Sequence, residues 1–119
     1  MNWVAAGFLC CAVAVVAGAF GAHGLERHLE PASLALWETA ARYLMYGGLG
    51  LAVAGLASHA LNRPIALAGW SLLIGSAIFS GTVFALALGA PRWLGAVTPV
   101  GGTLMILGLL VLAWTSWRG

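Results

Sequence analysis

The chain has 119 residues, of which 62% are hydrophobic and only 7% are charged, and its formal net charge is +2. A soluble domain carries roughly 25% charged residues, so this composition excludes a water-soluble globular protein and predicts an integral membrane protein. The small and scattered positive charge indicates no nucleic-acid partner, and the length fits one domain over residues 1–119.

The first apolar run, residues 3–22, predicts a transmembrane helix. Twenty residues at about 1.5 Å each span the ~30 Å hydrocarbon core of a bilayer. The run lacks the positively charged start of a signal peptide, so we expect the helix to be retained. Cys10 and Cys11 are adjacent within it and are expected to be buried thiols.

Small residues recur along this helix at helical spacing and predict close helix packing. Ala14, Gly18 and Ala22 form one stripe, and Gly21 belongs to a second stripe beside it. Such stripes let another helix backbone approach closely, either within the chain or in a second copy. Three further glycines are expected to pack helices in the same way: Gly81, Gly101 and Gly102.

A polar segment follows the first helix. His23 ends the helix and Glu26 lies in the turn after it. A histidine at a helix end is either an interfacial, hydrogen-bonded residue or a functional one, because ionisable groups at membrane depth mark functional sites. Pro31 suits the first turn of the next helix.

Residues 31–61 predict one continuous helix about 45 Å long, which exceeds the hydrocarbon core. Residues 31–42 are therefore predicted to be an interfacial extension, and residues 43–61 the second transmembrane span. Glu38 and Arg42 are four residues apart with the acid first, the favourable order for an ion pair.

Two more apolar runs, residues 65–88 and 94–117, complete the prediction of an all-α, four-helix transmembrane bundle with short loops. Pro99 either starts the fourth helix or lies inside it. The hydroxyl groups of the third helix either bond to carbonyls of their own helix or line a polar path. These residues are Ser76, Ser80 and Thr82.

Weak internal similarity predicts that the two helical hairpins are parallel duplicates. Residues 20–21 (FG) resemble residues 79–81 (FSG). The arginines are nearly balanced between the two ends of the helices, so their distribution does not define the orientation in the membrane.

Four motifs in order resemble the family called domain of unknown function 423. They are residues 18–25 (GAFGAHGL), 37–46 (WETAARYLMY), 79–81 (FSG) and 98–102 (TPVGG). This family comprises small four-helix membrane proteins, including bacterial inner-membrane proteins and the eukaryotic transmembrane protein 256. The resemblance covers nearly the whole chain and implies a multi-pass protein of the bacterial inner (plasma) membrane with no settled activity.

The resemblance also implies a set of candidate functional positions. They are His23, Glu38, Thr39, Arg42 and Tyr46. This chain departs from the family pattern at Gly47, where relatives commonly carry a histidine.

Nothing in the sequence predicts an enzyme, a metal site or a cofactor. The chain has no phosphate-binding loop, no cysteine–histidine nucleophile and no serine elbow. His23 and His59 lie at opposite ends of antiparallel helices, roughly a membrane thickness apart, and do not share one haem within a chain.

Two classes of function remain, both with the lipid bilayer as surroundings. In the favoured class, the protein is a packing module, either a homo-oligomer or a subunit of a larger membrane complex. Glu38, Arg42 and His23 would then form a buried polar clasp between the first two helices. In the alternative, the same three residues gate an oligomeric transporter or channel for ions or small solutes. The full candidate polar cluster is His23, Glu26, Glu38, Thr39, Arg42 and Tyr46.

Overall fold

The computed structural model describes residues 2–118 and is 87% helical. Its elements are α1 (Trp3–His23), a 3₁₀ turn (Leu25–Arg27), α2 (Pro31–Leu61), α3 (Ala66–Ala87) and α4 (Leu94–Arg118). All four α-helices are long and apolar enough to cross a membrane. The predicted all-α fold with four membrane-spanning helices is therefore confirmed.

Local sequence sets the ends of the helices. The side chain of Asn2 caps α1 by accepting a 3.1 Å hydrogen bond from the backbone N–H of Ala5. Pro31 occupies the first turn of α2, where its missing N–H costs no hydrogen bond. Asn62 ends α2 in the left-handed conformation, with φ 54° and ψ 45°, which asparagine tolerates better than most residues. Pro99 lies inside α4, so that helix begins before the proline.

The four helices form an open row in chain order. Extensive contacts join α1 to α2, α2 to α3 and α3 to α4. The backbones of α2 and α4 approach each other at few positions, and those of α1 and α4 at almost none. Only 17% of the apolar span is buried in α1 and in α4, against 39% in α2 and 33% in α3. The two outer helices therefore pack through one side and present the other side outward.

Small residues seven positions apart make the seam between α1 and α2. Gly7, Ala14 and Gly21 are the buried residues of α1, and Gly48 and Gly55 of α2 are buried as well. A β-carbon added at Gly7 would lie 2.6 Å from the carbonyl oxygen of Gly48. Any side chain at Gly7 would therefore push the two helices apart.

The second hairpin repeats this seam. A β-carbon at Gly75 of α3 would lie 2.8 Å from the carbonyl oxygen of Gly101 of α4, so Gly75 takes the place that Gly7 has in the first hairpin. The two hairpins run in the same direction and share this contact pattern, as parallel repeats do. These contacts pair Gly7 with Gly75, whereas the sequence similarity pairs residues 20–21 with residues 79–81, so duplication of the hairpins stays a prediction.

Two sets of large side chains connect the row across its width. Leu51, Leu72 and Met105, from α2, α3 and α4, form the buried core cluster. At the end of the molecule where α1 begins, the rings of Trp3 and Trp70 meet edge to face with centroids 5.2 Å apart. This contact joins α1 to α3 beside the end of α2.

Candidate functional site

The predicted polar residues lie towards one end of the molecule without forming a buried cluster. They occupy the last turn of α1, the 3₁₀ turn and the first half of α2. All are exposed except Thr39, which is half-buried. The set is His23, Glu26, Glu38, Thr39, Arg42 and Tyr46. These groups therefore face the membrane interface or another molecule rather than the interior of the chain.

A single chain does not form the predicted buried clasp. Glu38 and Arg42 are both exposed, and no ion pair joins them in the part of the chain that the structure describes. Ala40 and Leu44 occupy the inward side of α2 and are buried. The charged residues are consequently turned away from α1 and α3, and with His23 also exposed they do not hold the helices together.

Trp37 is the residue that joins α1, α2 and α3 at this end. Its indole N–H donates a 2.7 Å hydrogen bond to the carbonyl oxygen of Ala17. Gly21 makes room for the ring, because a β-carbon there would lie 2.5 Å from the indole Cδ1. The same ring lies 4.5 Å, centroid to centroid, from Phe84 of α3. Trp37 therefore combines one hydrogen bond with aromatic packing on three helices.

The sequence does not identify the hydrogen-bond partner of Trp37, because the acceptor lies twenty residues earlier in the chain. The usable signal is the indole N–H, a donor that must find an acceptor when it is removed from water. That rule predicts a partner for Trp37 but does not say which carbonyl supplies it.

The hydroxyl groups of α3 mostly make hydrogen bonds between helices. Ser80 donates to the carbonyl oxygen of Ala40 in α2 at 2.9 Å, and Ser71 donates to a carbonyl of α4 at 2.6 Å. Thr82 bonds back to its own helix and also lies 2.7 Å from the hydroxyl of Thr98 in α4. These hydrogen bonds connect α3 to α2 and to α4.

Ser76 differs from the other hydroxyl residues. Its Oγ is buried and has no hydrogen-bond partner among the described residues. It points at Gly47, where an added β-carbon would collide with it and would also lie 3.5 Å from the Met105 methyl group. Glycine at position 47 therefore leaves room for the Ser76 side chain between α2 and α3, and a larger side chain there would require Ser76 to move.

The predicted helix-packing residues divide into two groups. Three of them contact a neighbouring helix: Gly21, Gly101 and Gly102. The other three do not pack within the chain, because two have no atom within 4 Å of an added β-carbon and the third is exposed: Gly18, Gly81 and Ala22. For this second group, self-association stays a prediction.

The side chains that commonly bind metals are dispersed. Within residues 2–118, no group of three His, Cys, Asp or Glu residues is placed to hold a metal ion. Cys10 and Cys11 are free thiols, and both are half-buried rather than fully buried.

Comparisons with known proteins agree with this architecture. Residues 17–102 match the family model described as Protein of unknown function (DUF423). The chain is 45% identical over 112 residues to a UPF0382 membrane protein of Staphylococcus haemolyticus, covering 94% of this chain and 92% of that relative. It is 50% identical over 106 residues to a UPF0382 membrane protein of Staphylococcus epidermidis, covering 89% and 87% of the two chains. No solved structure matches it. With four membrane-length helices and these relatives, the chain is a membrane protein that belongs to the DUF423 family, whose activity is unknown.

Proposed function

We propose that this protein is a structural module of the bacterial plasma membrane that acts by lateral helix association, as a homo-oligomer or as an accessory subunit of a larger complex. The observation that supports this proposal is the one-sided packing of the outer helices. Each of α1 and α4 buries only 17% of its apolar span within the chain. Neither an enzymatic centre nor a cofactor enters the proposal.

The outward face of α1 has the pattern of a helix-packing surface. Ala5, Ala12 and Ala19 are seven residues apart and all exposed, on the side opposite the buried stripe that contacts α2. Phe8 and Val16 flank them and are 55% and 69% exposed. Small residues at this spacing let a second helix approach closely, while the large neighbours supply van der Waals contact.

The alternative function is an oligomeric transporter or channel gated by His23, Glu38 and Arg42. These side chains face outward, and the interior hydroxyl groups are mostly engaged in helix–helix hydrogen bonds. A conduit would therefore lie between chains instead of inside one chain. Because both functions require association, association is the property to measure first.

Disulfide cross-linking in native membranes tests the face of α1. In a background with Cys10 and Cys11 replaced by alanine, Ala12→Cys places one thiol on the outward stripe. Val13→Cys is the matched control, since Val13 is 49% exposed but points about 100° away around the helix. We expect efficient dimer formation for Ala12→Cys and little for Val13→Cys if two copies pack through this face. Equal cross-linking of the two variants would exclude that face as a specific contact.

Native mass spectrometry of the gently extracted protein tests the proposal as a whole. Several copies indicate a homo-oligomer, a stoichiometric larger partner indicates an accessory subunit, and a single copy contradicts lateral association. A measurement of ion flux in liposomes then distinguishes the structural module from the transporter or channel. A flux that His23→Ala abolishes without changing assembly would favour the conduit.

A further inference from the structure

A groove runs between α2 and α4 on the half of the molecule where α2 ends. Its volume is about 350 Å³. Ala54 and Ile65 form a buried floor, 5% and 8% exposed, whereas Val53 and Leu109 form rims that are 63% and 46% exposed. The backbones of α2 and α4 lie apart along most of their length, and the rims are exposed, so the groove is open towards the bilayer.

One end of this groove is polar. Arg63 lies there, together with Thr115 and Ser116 of α4. The backbone of Arg63 is held in place, because its N–H donates to the carbonyl oxygen of Ser58 at 3.1 Å and its carbonyl accepts from the Ser58 hydroxyl. The guanidinium therefore extends from a defined point at the end of the groove.

Arg63 is far from every acidic side chain of the protein. Of the three acidic residues, Glu26 lies in the 3₁₀ turn, Glu30 immediately precedes α2, and Glu38 lies in the first part of α2. The distance from Glu38 to the end of α2 is roughly 35 Å along the helix. A cation at the membrane interface without an acidic side chain nearby attracts anionic groups from outside the chain.

The apolar part of the groove has the length of one lipid leaflet. It follows α2 from Leu49 to Leu61, roughly 18 Å at the helical rise per residue. Half of the ~30 Å hydrocarbon core is about 15 Å. The groove therefore extends from near the middle of the bilayer to its interface, where Arg63 lies at the level of lipid headgroups.

We propose that this groove binds an anionic phospholipid. One acyl chain lies along the apolar stretch, and the phosphate group contacts the guanidinium of Arg63, with the hydroxyl groups of Thr115 and Ser116 as further donors. The charge, the polar end and the leaflet-sized apolar length all match this ligand. Basic pockets between transmembrane helices bind lipid headgroups in the same way. The proposal concerns a ligand and does not depend on the proposed association of the outer helices.

The test uses the full chain in neutral detergent and native mass spectrometry. The probes are dioleoyl phosphatidylglycerol and dioleoyl phosphatidylcholine, which have identical acyl chains and differ in headgroup charge. Arg63→Gln removes the cation of the groove. Arg118→Gln is the matched control, because Arg118 lies at the same end of the molecule but its guanidinium is 5.9 Å from the Trp114 ring instead of lining the groove.

For the wild type, we expect preferential binding of phosphatidylglycerol. Arg63→Gln should reduce this preference about fivefold, the effect of one arginine at an anionic membrane surface, while Arg118→Gln leaves it nearly unchanged. Ala57→Phe, which fills the groove, should weaken retention of both lipids with unchanged helical circular dichroism.

Three results would overturn the proposal. The first is an equal loss of preference in Arg63→Gln and Arg118→Gln, which would indicate general charge attraction. The second is equal competition by inorganic phosphate, which would indicate a free-anion site without a lipid chain. The third is a change of oligomeric state in Ala57→Phe without loss of lipid, which would assign the groove to a second copy of the chain.

Discussion

Replacing Gly101 with alanine tests the seam between α3 and α4. A β-carbon at this position would lie 2.8 Å from the carbonyl oxygen of Gly75 and 2.9 Å from the Cα of Phe79, whereas ordinary contacts begin at 3.4 Å. Both neighbours are backbone atoms, which do not rotate away as a side chain does. Because the backbone nitrogen of Phe79 would lie closer still, the two helices would have to separate by about 0.5–1 Å, a gap that forfeits a quarter to a half of the dispersion energy across the seam.

The size of the effect follows from what this seam holds. Overpacking a well-packed contact costs typically 1–3 kcal/mol. Separation also strains the hydrogen bonds that Ser71 and Thr82 make to α4, and interhelical hydrogen bonds in membranes are each worth about 0.6 kcal/mol on average. We therefore expect Gly101→Ala to lower the free energy of unfolding by about 2–3 kcal/mol.

Unfolding by sodium dodecyl sulfate in mixed micelles, followed by circular dichroism, measures this change. Gly102→Ala is the matched control, because a β-carbon at Gly102 would meet only the Phe79 ring at an ordinary 3.5 Å. We expect this neighbouring variant to change stability by less than about 0.5 kcal/mol. Equal destabilisation by the two alanines would refute the seam geometry.

Four further substitutions separate structural contacts from exposed groups, with the same unfolding assay for each. Trp37→Phe keeps an aromatic ring but removes the 2.7 Å hydrogen bond to Ala17, so we expect a loss of about 1 kcal/mol, and an unchanged midpoint would show that this bond contributes nothing. Ser80→Ala should lower stability by about 1 kcal/mol because the Ser80 hydroxyl bonds to α2. Ser76→Ala should be neutral or stabilising because its buried hydroxyl has no partner among the described residues. A larger loss of stability in Ser76→Ala than in Ser80→Ala would contradict both assignments. Arg42→Ala should leave stability within about 0.5 kcal/mol of the wild type, since the side chain is exposed and forms no ion pair with the described residues. A larger loss of stability would support the buried clasp after all.

The candidate site shows which of its properties the sequence predicts and which it does not. The sequence shows the residue types and their placement near one end of the molecule, because Glu38 and Arg42 are the only acidic residue and the only arginine of a mainly apolar helix. The sequence does not show in which direction the side chains of Glu38 and Arg42 point. Exposed side chains and buried Ala40 and Leu44 alternate around α2, and only the positions of α1 and α3 decide which side is covered.

The glycines show the same division. Gly81 and Gly101 are equally good packing residues by composition, yet only Gly101 lies against another backbone. The hydrophobic pattern does not distinguish them, because lipid and neighbouring helices are both apolar surroundings. In a soluble protein, the contrast between an apolar and a polar face would identify the inward side of each helix.

The sequence by itself determined that this is a four-helix membrane protein and the approximate extent of its apolar helices, although the start of α4 relative to Pro99 needed the structure. These properties depend on local chemistry: the length of an apolar run against the thickness of the bilayer, a cap at Asn2, a proline at position 31 and a turn at Asn62. Only the tertiary structure decided the open row, the equivalent seams of the two hairpins and the groove that ends at Arg63. Each of these depends on which helix faces meet, and in a bilayer shape complementarity decides that, because lipid removes the hydrophobic drive between helices.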